Sequence, residues 1–259
     1  MLTLLSAAGS AAGTTGDTAP APQRLAVAVE GTLGVATGAR STLGSAEAVR
    51  VSAGRPSSGA VALTFDDGYS RSACAAISST LRSFGVTGTF FVNGLHVAEA
   101  PSRWRTILRG HELGNHTRSH RRLTIESDAV VRQQIYQNEG LQERIVGQPM
   151  LKLLRPPYGA HDRRVRRLAG ELGYLYTVLW SVDSRDWQRS ATVRSIIGRA
   201  TGAPPGSIIL MHCGPRETPQ ALPAIIRHYR SRGIRLVGLA TMLGLPPATR
   251  PSSGAESSR

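Results

Sequence analysis

Residues 62–70 read ALTFDDGYS, an apolar run that ends on two adjacent carboxylates, Asp66 and Asp67. Two ionised carboxylates side by side repel unless a cation or a proton lies between them. Asp-Gly is also a common turn signal, so the nine residues read equally well as a strand running into a turn. The remainder of the chain decides between these readings.

Similar apolar runs recur on either side. AVALTF (60–65), VTGTFFV (86–92), LKLL (151–154), YLYTVLW (174–180), SIILMH (207–212) and IRLVGLA (234–240) read as strands, with a weaker one at HELGNH (111–116). Residues 71–84 read as a helix closed by Gly85. Another, from about Ile125 to Val146, follows Thr124 as N-cap. Further helices are expected near 161–172, 190–201 and 217–231. Seven βα repeats with continuous apolar strands imply a parallel sheet covered by helices, either a barrel or a doubly wound sheet.

Composition sets the limits. With 259 residues and 41% hydrophobic content the chain can bury one substantial core. No apolar run reaches membrane-spanning length, so a soluble chain with no transmembrane segment is expected. Net charge is +14, and Lys152 is the one lysine among 31 basic residues. A basic surface suits nucleic acid, an anionic membrane or an acidic wall polymer. No zinc-finger spacing, aromatic-interleaved basic stripe or RNA-binding signature is present, so no nucleic-acid partner is expected. Cys74 and Cys213 show no paired-thiolate metal spacing and read as small buried hydrophobes.

More than half of the first 60 residues are Ala, Gly, Ser or Thr, and no aromatic precedes Phe65. Residues 1–57 are therefore expected to be a low-complexity leader, 58–245 the folded domain and 246–259 a disordered tail. MLTLLSAAGSAAG at the start is similar to part of an export signal without its positive n-region. It points to the cell envelope or exterior, with the cytoplasm as the alternative.

The polar residues gather just after the strands, where α/β folds build their sites. Asp66 and Asp67 follow the first strand. His116 and His120, in NHTRSH, follow the third; Arg155 and Tyr158, in LRPPYGAHD, follow the fourth. Asp183, Asp186 and Trp187, in SVDSRDW, follow the fifth, and His212, in IILMHCG, ends the sixth. His116 and His120 stand four apart, so on one helical turn, or a loop of similar pitch, both imidazoles can face one point. Alone, that spacing is more often structural. Two imidazoles and one carboxylate with an open fourth position form a catalytic zinc arrangement. The aspartate pair supplies that carboxylate and leaves a second beside it to take a proton; spacing alone leaves open which is which.

In this order and spacing TFDDG, HTRSH, RPPYG, DSRDW and ILMH resemble the five motifs of the polysaccharide deacetylases, the NodB-homology domains of carbohydrate esterase family 4. The resemblance covers roughly residues 58–243. It implies an α/β fold, a distorted (β/α) barrel of seven to eight strands, and a divalent metal, zinc first, with cobalt or another divalent ion as alternatives. It further implies removal of acetyl groups from a sugar polymer or oligomer; a monomer is expected. Carried over by position, it makes Asp67, His116 and His120 the metal ligands and Asp66 the general base, with Arg155 directing Asp66. His212 becomes the general acid with Asp186 as its partner. The backbone N–H of Tyr158 would hold the oxyanion, and Trp187 and Leu210 would wall the acetyl pocket. The same resemblance brings Cys74 and Cys213 to one end of the barrel, where a disulfide could join them.

Peptidoglycan and chitin oligomers are the leading substrates. The rivals are an O-acetyl esterase acting on xylan with the same residues, a carbohydrate-binding barrel without turnover, and a nucleic-acid binder. Intact acid and base positions speak against the carbohydrate binder. Thr117 is expected to hydrogen-bond within the histidine loop, His111 to be a satisfied buried histidine, and His96, His161 and His228 to carry no chemistry.

Overall fold

The computed structural model describes residues 47–246; most of the expected leader and nearly all of the expected tail lie outside the described residues. The chain enters on β1 (Val49–Val51), followed by β2 (Ala60–Asp67), α1 (Arg71–Ser83) and β3 (Thr89–Val92). Next come α2 (Gly94–Glu99), α3 (Pro101–Leu108), β4 (Glu112–Asn115), α4 (Asp128–Val146) and β5 (Leu153–Leu154). Then follow α5 (Arg163–Glu171), β6 (Tyr176–Val178), β7 (Val182–Asp183) and α6 (Val193–Thr201). The last elements are β8 (Ile208–His212), α7 (Glu217–Ser231), β9 (Arg235–Val237) and α8 (Leu239–Leu243).

Every strand-to-strand ladder is parallel. The strand order is β1-β6-β5-β4-β3-β2-β8-β7, with β9 also on β2. This is the distorted (β/α) barrel expected from the motifs. All eight residues of β2 are buried, as a parallel strand covered on both faces requires. Its side chains alternate: Val61, Leu63 and Phe65 join Ile77 and Leu81 of α1 and Ile225 of α7 in one cluster. Ala62 points the other way, into a second cluster with Phe91, Leu153 and Val178. The same two-residue period carries Thr64 and Asp66 to that inner face.

Several boundaries differ from expectation. The folded part begins before residue 58, because β1 pairs with β6 from Val49↔Tyr176 to Val51↔Val178. Thr124 does not cap α4; it sits in a 3-10 turn (Leu123–Ile125), and the Ser127 hydroxyl accepts the Val130 N–H at 3.4 Å as the true N-cap. Residues 174–180 are not one strand: β6 stops at Val178 and β7 resumes at Val182 beside β8. The run 234–240 turns at Gly238 into α8. The short helices α2 and α3 were not anticipated; Pro101 opens α3 at its first position, where a missing N–H costs nothing.

Candidate metal centre and active site

Strand register assembles the site. In the β2–β8 ladder Asp66 lies directly beside His212, and in β4–β5 Asn115 lies beside Leu154, so His116 falls next to Arg155. Asp67 closes β2 and projects toward the loop after β4. Its Oδ1 is 3.3 Å from His116 Nε2 and 3.3 Å from His120 Nε2. That oxygen is buried with no hydrogen-bond partner. An orphaned carboxylate oxygen flanked by two imidazole nitrogens is a donor set that fits a divalent cation. His116 Nδ1 donates to the Arg155 carbonyl at 2.7 Å; the carbonyl can only accept, so Nδ1 carries a proton and Nε2 is the nitrogen turned to the cluster. Burial disfavours charge on His116, yet Asp66 and Asp67 hold its pKa above the usual imidazole value. Burial and the neighbouring His116 push His120 down to about 4, so it stays neutral. Burial likewise opposes ionisation of Asp67, but His116, His212 and His120 keep it below the usual carboxylate range. The pocket thus draws positive charge to this point.

Asp66 points away from the cluster's centre. Its Oδ1 accepts Arg155 Nη1 at 2.7 Å, while its Oδ2 stands 3.8 Å from His116 Nε2. Arg155 is fully buried and occupied on every side. Nη1 also donates to Thr64 Oγ1 at 2.8 Å, Nη2 to the Leu179 carbonyl at 3.2 Å, and the guanidinium lies 4.2 Å over the Phe91 ring. Thr64 in turn donates to the Ile209 carbonyl at 2.7 Å, which fixes it as an acceptor for Arg155.

His212 faces Asp66 from β8. Its Nδ1 donates to Asp186 Oδ1 at 2.7 Å and its backbone N–H to Oδ2 at 2.7 Å. Burial disfavours the imidazolium, but the hydrogen bond and charge of Asp186 more than offset this, and the pKa is pushed up to about 9. His212 is therefore protonated at neutral pH, with Nε2–H free to give. Thr218, buried at the start of α7, donates to Asp186 Oδ2 at 2.6 Å and completes that carboxylate's partners. Sequence reasoning missed Thr218 and Thr64; only their contacts across the fold reveal them.

Tyr158, beside His120, and Trp187 are both more than half exposed, while Leu210 is buried on β8, where it pairs with Asp183 of β7. The Tyr158 ring meets His120 edge-on at 4.6 Å, and among the described residues its N–H has no acceptor. Among the described residues five that are not glycine adopt left-handed backbone: Asp67, Thr117, His120, Tyr158 and Arg185. Asp67 ends β2, and the other four lie between strands at this end of the sheet. Cys74 and Cys213 form a disulfide, Cα atoms 4.9 Å apart, that ties the first turn of α1 to the residue after His212. His111 is a buried, satisfied histidine held by Ser78 at 3.0 Å and the Gly88 N–H at 3.4 Å. Thr117 Oγ1 accepts the His120 N–H at 3.1 Å, inside the loop as expected.

Comparison with known proteins agrees with this geometry. A family model described as polysaccharide deacetylase matches residues 53–177. The chain is 34% identical over 190 residues to a peptidoglycan-N-acetylglucosamine deacetylase of Bacillus cereus, covering 71% of this chain and 87% of that protein. The chain belongs to the polysaccharide deacetylase family. It is also 37% identical over 158 residues to a chitooligosaccharide deacetylase of Azorhizobium caulinodans, covering 60% of this chain and 75% of that one. A crystal structure of a peptidoglycan N-acetylglucosamine deacetylase superposes with a TM-score of 0.73 at 32% identity, over 78% of this chain and 96% of its own. The family, carbohydrate esterase family 4, also includes a Bacillus anthracis pseudoenzyme with the same fold (TM-score 0.72, 25% identity, 76% of this chain and 70% of that one). Membership alone therefore does not establish turnover; the residues of the site must. Deacetylases of this family are metalloenzymes, and Asp67, His116 and His120 are the matching cluster here.

Proposed function

We propose that this protein is a zinc-dependent hydrolase that removes N-acetyl groups from an N-acetylglucosamine-containing glycan, peptidoglycan or chitin oligomers. The observation that carries the reading is the pairing of an orphaned Asp67–His116–His120 cluster with a base and a protonated acid on adjacent strands. Asp67, His116 and His120 would hold the ion. When bound, a divalent cation supplies Lewis acidity, polarising the acetamide carbonyl and acidifying water. Asp66 takes the proton of the attacking water, and Arg155, by occupying Oδ1, leaves its Oδ2 to accept that proton. The unpartnered Tyr158 N–H donates to the carbonyl oxygen as it gains negative charge. His212 delivers its Nε2 proton to the departing sugar nitrogen, which leaves as an amine, while acetate departs with the water oxygen. Asp186 keeps His212 charged between turnovers. Trp187 and Leu210 flank the acetyl methyl. The net charge of +14 suits a substrate in an anionic wall, and action in the cell envelope as a monomer is part of the proposal.

Acetate release from chitin oligomers, peptidoglycan and acetylated xylan, each with and without chelator, tests the reading. Release from the N-acetylated glycans that chelator abolishes and zinc restores is the expected result. Release from xylan alone would make the protein an O-acetyl esterase, and no release from any substrate would leave a glycan-binding barrel.

A further inference from the structure

Arg122 stands at the mouth of the site, beside Tyr158. Its guanidinium carbon lies 4.9 Å from the centre of the exposed Tyr158 ring, and that ring packs edge-on against His120 at 4.6 Å. Most basic neighbours of Arg122 have an acid. Arg121 pairs with Glu126 at 3.1 Å, Arg164 with Asp128 at 2.8 Å, and Arg163 with Glu47 at 2.6 Å. Arg122 has no acidic partner among the described residues. Its backbone is nonetheless well supported: it precedes the 3-10 turn Leu123–Ile125, whose Leu123 and Thr124 carbonyls accept Arg164 Nη2 at 3.0 and 3.3 Å.

A guanidinium stacked on an aromatic face keeps its edge N–H groups directed outward in a planar fork, a shape that matches a carboxylate. The same tyrosine borders the cluster that would receive the acetamide, so the fork faces the neighbouring part of the glycan. We infer that Arg122 is a specificity residue that binds a carboxylate carried close to the reacting sugar, selecting acidic glycan strands over neutral ones. This deepens, and rests on, the reading of the site as a glycan deacetylase. The carboxylate could come from a lactyl ether on the adjoining sugar or from a peptide stem attached there; the chemistry recognised is the same.

The test compares wild type with Arg122→Gln on three ligands: a neutral chitin tetramer, an alternating tetramer with free lactyl carboxylates, and the same tetramer bearing peptide stems. Binding is measured by calorimetry on the metal-free protein, and acetate release on the zinc-loaded protein. The substitution should raise Kd and KM roughly two- to fivefold for a carboxylate-bearing ligand, the worth of one partly exposed charge pair. It should leave kcat, and both constants for chitin, unchanged, and the difference should shrink in high salt. Selective weakening on the lactyl tetramer assigns the lactyl group; weakening only on the stem-bearing tetramer assigns the stem. Equal weakening on neutral and acidic ligands, or none on either, overturns the inference. Selective binding by a wild-type protein that releases no acetate from any ligand would instead overturn the deacetylase reading, with the binding data still scoring Arg122.

Discussion

Replacing Asp186 by asparagine isolates the acid half of the site. The carboxylate accepts His212 Nδ1, the His212 backbone N–H and Thr218 Oγ1, all within 2.7 Å. An amide of the same shape keeps part of that geometry and loses the charge. His212 then retains the burial that disfavours the imidazolium without its main support, so its pKa falls from about 9 to the ordinary 6.5 or lower. At pH 8 the protonated fraction drops from about nine-tenths to about 3%, a loss of roughly 30-fold, whereas at pH 6 it changes less than about 1.5-fold. N-deacetylation should follow: a rate that holds to about pH 9 in wild type should decline above about pH 6.5 in the variant. Stability has the same sign. A pKa raised in the folded state contributes stability fully present below about pH 6.5 and lost as pH rises through about 9. The variant should therefore lose on the order of 3 kcal/mol at pH 6 and little at pH 10. Acetate release across pH 5–10, thermal unfolding at both extremes and an NMR titration of His212 in metal-free protein supply the measurements. A rate loss of the same factor at pH 6 and pH 8, or a variant His212 still titrating near 9, would refute the reasoning.

The two aspartates of ALTFDDGYS should behave differently. Asp67→Ala should lose metal and turnover together, with partial recovery in excess zinc. Asp66→Asn should keep its metal, checked by elemental analysis, and lose about 10²–10⁴-fold in rate that zinc does not restore. Thr218→Val removes one buried donor from Asp186 and should cost about 1–3 kcal/mol of stability and lower kcat more than it changes KM, with Thr218→Ser restoring both. Deleting residues 1–55 removes β1 and its backbone bonds at Val49 and Val51, and should lower stability by about 1–3 kcal/mol relative to deletion of residues 1–46, measured by urea unfolding.

The sheet was legible because its strands carry continuous apolar runs and its chemistry sits at one end of each. Asp66, His116, Arg155, Asp186 and His212 come together as that pattern implied. What escaped was decided by tertiary partners rather than local propensity. Val49–Val51 lies in a stretch rich in small residues, and it is a strand only because β6 offers it an edge. Residues 234–240 read as one mainly apolar strand interrupted only by Arg235, yet Leu239 and Ala240 turn into α8 because Thr89 and Glu112 accept their backbone N–H groups. Thr64 and Thr218 are ordinary threonines in sequence and become site residues only through Arg155 and Asp186.

The left-handed residues follow the same logic with an energetic consequence. Non-glycine backbone in this region costs on the order of 1–3 kcal/mol each, so it persists only where neighbours impose it. Thr117 is imposed by Asn115, whose Oδ1 accepts its N–H at 2.9 Å, and His120 by Thr117 Oγ1. Asn115 is itself fixed by Asn138 Nδ2 at 3.0 Å, and Asn138 by Gln142 Nε2 at 2.9 Å. Gln134 takes the Ser119 N–H at 2.9 Å from one turn earlier on the same helix. Gln134, Asn138 and Gln142 recur every four residues on a buried face of α4, where an apolar stripe would ordinarily lie. Buried amides are costly without partners, and these find theirs at the site: Gln134 on Ser119 of the histidine loop, Asn138 on Asn115, and Gln142 on Asn138 and the Val92 carbonyl at 2.6 Å, with only Gln142 Oε1 left unpartnered. That arrangement makes sense if their purpose is to hold Thr117 and His120 in left-handed backbone that neither would adopt alone, and so to bring His120 round to His116. Apolar replacements on this face could pack α4 as tightly, but they would leave the loop free to relax out of the left-handed region and separate the two imidazoles from Asp67.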